Sequence, residues 1–231
     1  MSAEGETNAG TVPQARSEPG RDCPICPRLV GFREEWRRRE PLWHNAPVPT
    51  LLPAGGREAV ELLVVGLAPG LRGANRTGRP FTGDYAGDLL YATLARFGFA
   101  NDCFAARTDD GLELKRTAIT NSVRCVPPEN KPVGAEIAAC RRFLEATLEA
   151  FPRLRCLVTL GRIAHDSTIR TLGARLADAP FGHGAAHDLG GLRVFSSYHC
   201  SRYNTNTGRL TEAMFVDVFA EVAAFLGPRP G

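Results

Sequence analysis

Four short apolar runs, each followed by a loop and then by residues at helical spacing, set what this chain can fold into. The runs are about Glu61 to Val65, Arg116 to Asn121, Cys156 to Leu160 and Leu192 to Ser197. Their length and content read as strands. Leu89, Leu90, Leu94 and Phe97 mark a helix over about Ala86 to Arg96, and Ile137, Cys140, Leu144 and Leu148 mark another over about Val133 to Ala150. A third helix leads into Leu172, and an amphipathic helix carrying Met214, Val218, Phe219, Val222 and Phe225 closes the chain. Strands alternating with helices predict an α/β fold, a mainly parallel sheet covered on both faces. The polar stretch Asn101 to Leu114 and the segment with His183 and His187 read as irregular loops.

In such a sheet ligands bind at the carboxyl ends of the strands. The longest loop there, Gly66 to Gly87 (GLAPGLRGANRTGRPFTGDYAG), carries six glycines together with Arg72, Arg76 and Arg79. Glycine permits tight turns and close backbone approach, and the arginines add positive charge, a mixture that suits an anionic ligand. No Gly-Lys-Ser/Thr follows, and Ala68 interrupts a dinucleotide glycine pattern. Asn121 ends the second strand and His199 follows the last, so both converge on the same sheet edge as this loop.

With 231 residues the chain is long enough to bury a full core in one domain, expected over residues 23–231. Residues 1–22, rich in Gly, Ser, Glu and Pro, are expected to form a disordered leader. A net charge of +3 permits a local basic face without demonstrating a nucleic-acid partner. Lys115 and Lys131 are the only lysines, so arginine dominates; that suits bidentate phosphate contacts, and coding bias explains it equally well. Arg37, Arg38 and Arg39 close a charged helical segment that reads as a solvated face or a phosphate contact. No run is apolar enough to span a bilayer, and the N-terminus lacks a signal-peptide pattern, so a cytoplasmic protein is expected.

Seven cysteines in a reducing compartment point to metal ligands or free thiols. Cys23 and Cys26 form a CxxC, and Cys125 and Cys140 form a second, wider pair. Four thiolates can hold a tetrahedral zinc or an iron-sulfur cubane. The long second spacing favours the cluster. Cys103, Cys156 and Cys200 remain as free thiols.

Three ordered runs now carry a resemblance: Gly66 to Gly87; Thr120-Asn121-Ser122-Val123-Arg124-Cys125-Val126-Pro127-Pro128; and Ser197-Tyr198-His199-Cys200-Ser201 on to Leu210. With the four cysteines, they resemble a uracil-DNA glycosylase of family five, the B-type enzyme, from Cys23 to Leu226. The resemblance implies a three-layer α/β/α sandwich with a four-stranded, mainly parallel sheet. It also implies a [4Fe-4S] cluster, with zinc as the alternative, on Cys23, Cys26, Cys125 and Cys140. Its implied activity is excision of uracil, and of bases such as hypoxanthine or ethenocytosine, from DNA. A monomer, nucleoid-associated when bound to DNA, is expected.

One departure from the wider superfamily is Ala68, where relatives carry an acidic residue or asparagine. Activation of water at that position is therefore unavailable, and attention passes to Asp84. Asp84 has two readings, a group that steadies the cationic sugar and orients water, and an N-cap for the next helix. Phe81 is placed to stack on an extruded base, beside Gly66 and Ala68 in the pocket wall; its plainer role is a core aromatic. Asn121 offers a donor and an acceptor to the base edge, and otherwise ends a strand. His199 can donate to a carbonyl oxygen on which negative charge develops. The polar loop Ser201 to Arg209, with Arg202, Tyr203 and Asn204 at its tip, is expected to enter the minor groove. Ser201, Arg209, Arg76 and the backbone near Gly70 are expected to grip phosphates. A non-catalytic iron-sulfur nucleic-acid-binding protein and an electron-transfer protein are the competing readings.

Overall fold

The computed structural model describes residues 18–228, so most of the expected leader, residues 1–17, lies outside the described residues. A helix, α1 (Pro27–Arg39), precedes the first strand, β1 (Leu62–Gly66). The chain continues through α2 (Ala74–Thr77), α3 (Tyr85–Arg96), β2 (Thr117–Asn121), α4 (Gly134–Glu149), β3 (Cys156–Leu160) and α5 (Arg162–Thr171). A hairpin of β4 (Ala186–Leu189) and β5 (Leu192–Ser197), a short α6 (Arg202–Asn206) and α7 (Glu212–Leu226) complete it.

The strands form one sheet in the order β2-β1-β3-β5-β4. The β1–β2, β1–β3 and β3–β5 pairs are parallel, and β4 joins β5 antiparallel. The expected four parallel strands are therefore present, with a fifth at the edge. β4 lies in the segment read as a loop around His187. Its four residues alternate between exposed and half-buried, so no apolar run announces it. Gly190 and Gly191, at φ 57° and 82°, supply the left-handed turn that folds it onto β5.

Alternation along each strand divides the core into two layers. Leu62, Val64, Ile119, Val158 and Phe195 face Leu90 and Leu94 of α3 and Phe215, Phe219 and Val222 of α7. Leu63, Val65, Ala118, Leu157 and Val194 face Leu144 of α4 and Ala164 and Ile169 of α5. The result is the three-layer sandwich. Each of the buried Leu, Val, Ile and Phe side chains among them contributes roughly 1.5–3 kcal/mol relative to exposure. A smaller cluster of Leu29, Val123 and Cys140 attaches α1 to the far side of the β2 terminus. There Arg28 makes a bidentate contact with Glu136 at 2.8 and 2.7 Å, joining α1 to α4.

Candidate active site

The carboxyl ends of β1, β2, β3 and β5 share one edge, and a cleft of about 1020 Å³ opens there. Strand order reverses between β1 and β3, the place where open α/β sheets part to admit a ligand. Of the residues singled out in the sequence, Ala68, Gly70, Phe81, Asp84, Asn121, His199, Ser201 and Arg202 line this cleft together. It also contains Asn130, Arg162 and Ile163, which sequence reasoning missed. The available signal was the Leu160-Gly161-Arg162 junction, a third strand ending in glycine before a helix.

The glycine loop is anchored at its start and at its middle. The Ser122 and Val123 amides donate to the carbonyls of Gly66 and Leu67 at 2.9 and 3.0 Å, fixing the loop's start beside Asn121. Asn75, in α2, donates to the Asn45 side chain at 2.9 Å, joining the loop to the segment after α1. Gly66 does not line the cleft but backs it. A β-carbon there would strike the Asn121 carboxamide oxygen and the Phe81 ring, so glycine lets both side chains reach the pocket. Gly87 is needed in the same way, because a side chain there would meet the Phe81 carbonyl oxygen.

Phe81 is buried, at φ 52°, with its ring 6.0 Å from the His199 ring at an interplanar angle of 26°. The two aromatic faces thus sit side by side in the cleft. His199 is partly exposed there, yet burial by the surrounding protein pushes its pKa down to about 4. The imidazole is therefore neutral at pH 7, with one ring nitrogen carrying a proton to donate. Asn121, at the end of β2, is 3% exposed.

Asp84 occupies the N-cap position of α3, but its side chain makes no capping hydrogen bond. One carboxylate oxygen, Oδ1, is buried with no partner, and the other lies close against the backbone of Gly70 and Gly73. Burial raises its pKa; the nearby N–H groups of Gly87 and Ala86 pull the other way, and Asp88 adds to the rise. A carboxylate so placed gains from any positive charge brought to it.

The remaining candidates divide. Ser201 caps α6 by accepting the Asn204 N–H at 3.4 Å, and the Asn204 amide donates to the His199 carbonyl at 2.8 Å. Asn204 thus braces His199 from within, where the sequence suggested a DNA contact. The loop tip is a helical turn, with Tyr203 73% exposed. Arg202 lies over the Tyr85 ring at 5.1 Å on the cleft rim, and Arg209 over Tyr198 at 4.8 Å outside it. Arg76 is exposed and donates to the Arg72 carbonyl at 2.8 Å, away from the cleft lining. Arg79, counted above among the anion-binding charges, is buried in an ion pair with Asp110 at 2.6 Å and faces no ligand.

Cys23, Cys26, Cys125 and Cys140 line one small cavity between α1 and the start of α4, together with Arg33. Among the described residues no group of three or more His, Cys, Asp or Glu side chains stands ready to hold a metal ion, so the fit rests on the donor set. That set suits an anionic thiolate-bound group. The Arg124 N–H donates to Cys140 Sγ at 3.3 Å, and Arg33 Nη1 approaches Cys125 Sγ at 3.9 Å. Arg33 Nε is buried there without a partner. Burial pushes the Cys125 and Cys140 thiols up to about 12 and 11, so a bound cation is needed to hold them as thiolates. Ala68 packs against this cluster and also lines the cleft, joining the two sites.

Residues 53–223 match the family model described as the uracil DNA glycosylase superfamily. The chain is 44% identical to a type-5 uracil-DNA glycosylase of Thermus thermophilus, over 89% of this chain and 94% of that protein. It is 43% identical to a type-5 uracil-DNA glycosylase of Mycobacterium tuberculosis, over 89% of this chain and 78% of that one. A type-4 uracil-DNA glycosylase of Sulfurisphaera tokodaii is 30% identical over 71% of each chain.

Proposed function

The chain belongs to the uracil DNA glycosylase superfamily, in its type-5 branch, and from that premise we propose that it excises uracil from DNA by hydrolysing the N-glycosidic bond. The observation that carries the mechanism is a single cleft lined by an aromatic face, a carboxamide, a neutral imidazole and a carboxylate oxygen without a partner.

A base inside a duplex is out of reach, so the nucleotide must be flipped out at a cost of a few kcal/mol. Stacking on Phe81 offsets that cost by about 1–3 kcal/mol. Asn121 reads the hydrogen-bonding edge of the base. As the bond breaks, negative charge grows on the base and positive charge on the sugar. His199, neutral by burial, donates to the carbonyl oxygen that gains charge, without needing a proton from solution. Asp84 faces the opposite charge: the developing sugar cation relieves its desolvated carboxylate, which then orients the attacking water. Ala68 contributes no polar atom, so the pocket selects mainly by stacking and by Asn121. On that ground hypoxanthine and ethenocytosine are expected as further substrates. Neither Lys115 nor Lys131 lines the cleft, which supports release of the base without strand cleavage.

Cys23, Cys26, Cys125 and Cys140 are proposed to hold a [4Fe-4S] cluster, with zinc as the alternative. Bound there, the group ties α1 to the segment following Asn121. Anaerobically purified protein should be brown, with iron and acid-labile sulfide; colourless protein with stoichiometric zinc would contradict the cluster.

The function is tested with duplexes carrying one uracil, hypoxanthine or ethenocytosine, incubated with excess protein and then treated with alkali. Strand breaks at uracil are expected, with slower breaks at the other two. Tight binding with no alkali-labile site would favour the non-catalytic reading.

A further inference from the structure

We infer that Arg79 and Asp110 are positioning residues for Phe81, and that the irregular stretch after α3 serves the site through this pair. The inference rests on the proposed role of the cleft in uracil release. Arg79 lies two residues before Phe81, and its guanidinium is gripped on every side. Nη1 and Nη2 contact the two Asp110 oxygens at 2.8 and 2.6 Å, Nη2 also donates to the Arg107 carbonyl at 2.5 Å, and Nε donates to Thr82 Oγ1 at 2.8 Å. The Asp110 carboxylate is fully buried and further accepts the N–H groups of Ala105 and Leu112, at 2.9 and 3.0 Å. An Ala100–Leu114 bridge closes the stretch that presents it.

The same cluster holds the residue between Arg79 and Phe81. Tyr91 Oη and Thr82 Oγ1 both donate to the Pro80 carbonyl, at 2.6 and 3.2 Å. The Arg79 guanidinium packs over Tyr91 and Phe104, whose rings stack 4.4 Å apart. Residues 79, 80 and 82 are therefore all fixed by side chains around Phe81. Phe81 has φ 52°, a left-handed backbone that an aromatic L-residue rarely adopts. Such a conformation persists only where the surroundings impose it, and here it aims the ring into the cleft beside His199. A merely stabilising ion pair would have no reason to converge on this residue.

The test is a double-mutant cycle. Asp110→Asn and Tyr91→Phe are each made with and without Phe81→Ala. Two quantities are measured: the single-turnover rate of uracil release, and the affinity for a duplex with a cleavage-resistant 2′-fluoro-2′-deoxyuridine relative to one with an abasic site. Asp110→Asn should slow release about tenfold to a hundredfold, the scale of small misplacements in a site, with Tyr91→Phe near the lower end. In the Phe81→Ala background each should cost less than about twofold, because the ring they position is gone. The affinity ratio should follow the same pattern. Equal costs in both backgrounds, in rate and ratio, would overturn the inference. If Asp110→Asn loses its melting transition, Tyr91→Phe carries the cycle. If the wild type releases no uracil, the proposed function fails, while the affinity ratio still decides whether the pair acts through Phe81.

Discussion

One wall of the cleft comes from the loop between Ala68 and Ala86 and the other from Gly161 to Ala164 with His199, Ser201 and Arg202, and the two are held differently. The first is fixed by backbone hydrogen bonds to the β2 terminus and by a buried ion pair, and its Arg79 is withdrawn from solvent. The second is held locally: Ser201 caps a five-residue helix, Asn204 braces the His199 carbonyl, and Arg202 remains exposed on the rim. Arg79 and Arg202 therefore differ in what they can reach, and the exposed Arg72 on the first wall resembles Arg202 rather than Arg79. Arg79 is spent on Asp110 inside the fold, whereas Arg202 reaches solvent on the rim, where a phosphate contact is proposed for it.

The comparison is sharpened by the one acid on the fixed wall. Asp84→Asn should slow base release by about 10²–10⁴-fold, the usual contribution of a positioned acid or base, with binding of the same duplex changed by only a few-fold. Unchanged single-turnover release would reduce Asp84 to the start of α3. On the opposite wall, His199→Ala should slow release by about 10²–10³-fold for every base that presents a carbonyl there. Wild-type rates would remove His199 from the chemistry.

The next effect is a pH dependence. Burial holds His199 neutral, with a pKa of about 4 against an ordinary 6.5. Between those values the unfolded chain takes up a proton that the folded chain refuses, so this histidine lowers stability as pH falls from about 6.5 towards 4. Above pH 6.5 it has no effect. The melting temperature of wild type should fall relative to that of His199→Gln as pH drops from about 6.5 towards 4, and the His199 ring signals should stay in the neutral form at pH 5.5. A titration midpoint near 6.5 would mean that the second wall does not withdraw this ring from water. The smallest effect is expected at the rim: Arg202→Ala should weaken DNA binding and lower the salt slope by about 0.9, one phosphate contact. An unchanged slope would place that contact elsewhere.

Much of this was legible in the chain because its signals are local. Apolar runs fixed the four parallel strands, and their carboxyl ends brought Asn121, His199 and the glycine loop together. β4 was hidden because a half-exposed edge strand needs no apolar run. Arg79 was misread for a different reason. Its partner Asp110 lies 31 residues away in a stretch without periodicity, so nothing local separates it from Arg72 or Arg76. Asn204 adds a second case: beside the DNA contact expected of it, its side-chain amide is bonded within the loop, which its position at the tip does not announce. Pairing in three dimensions, 31 residues apart for Arg79 and 5 for Asn204, decides which polar atoms remain free, and a linear pattern does not record it.

The extruded uracil is proposed to lie between the two walls against Phe81. A duplex carrying one 5-iodouracil on a 2′-fluoro sugar, which resists release, can be bound and irradiated, and the cross-linked residue mapped by mass spectrometry. Attachment to the peptide containing Phe81 is expected, and it should be lost in Phe81→Ala. Attachment to α1 or to any segment outside the cleft, undiminished by that substitution, would contradict it.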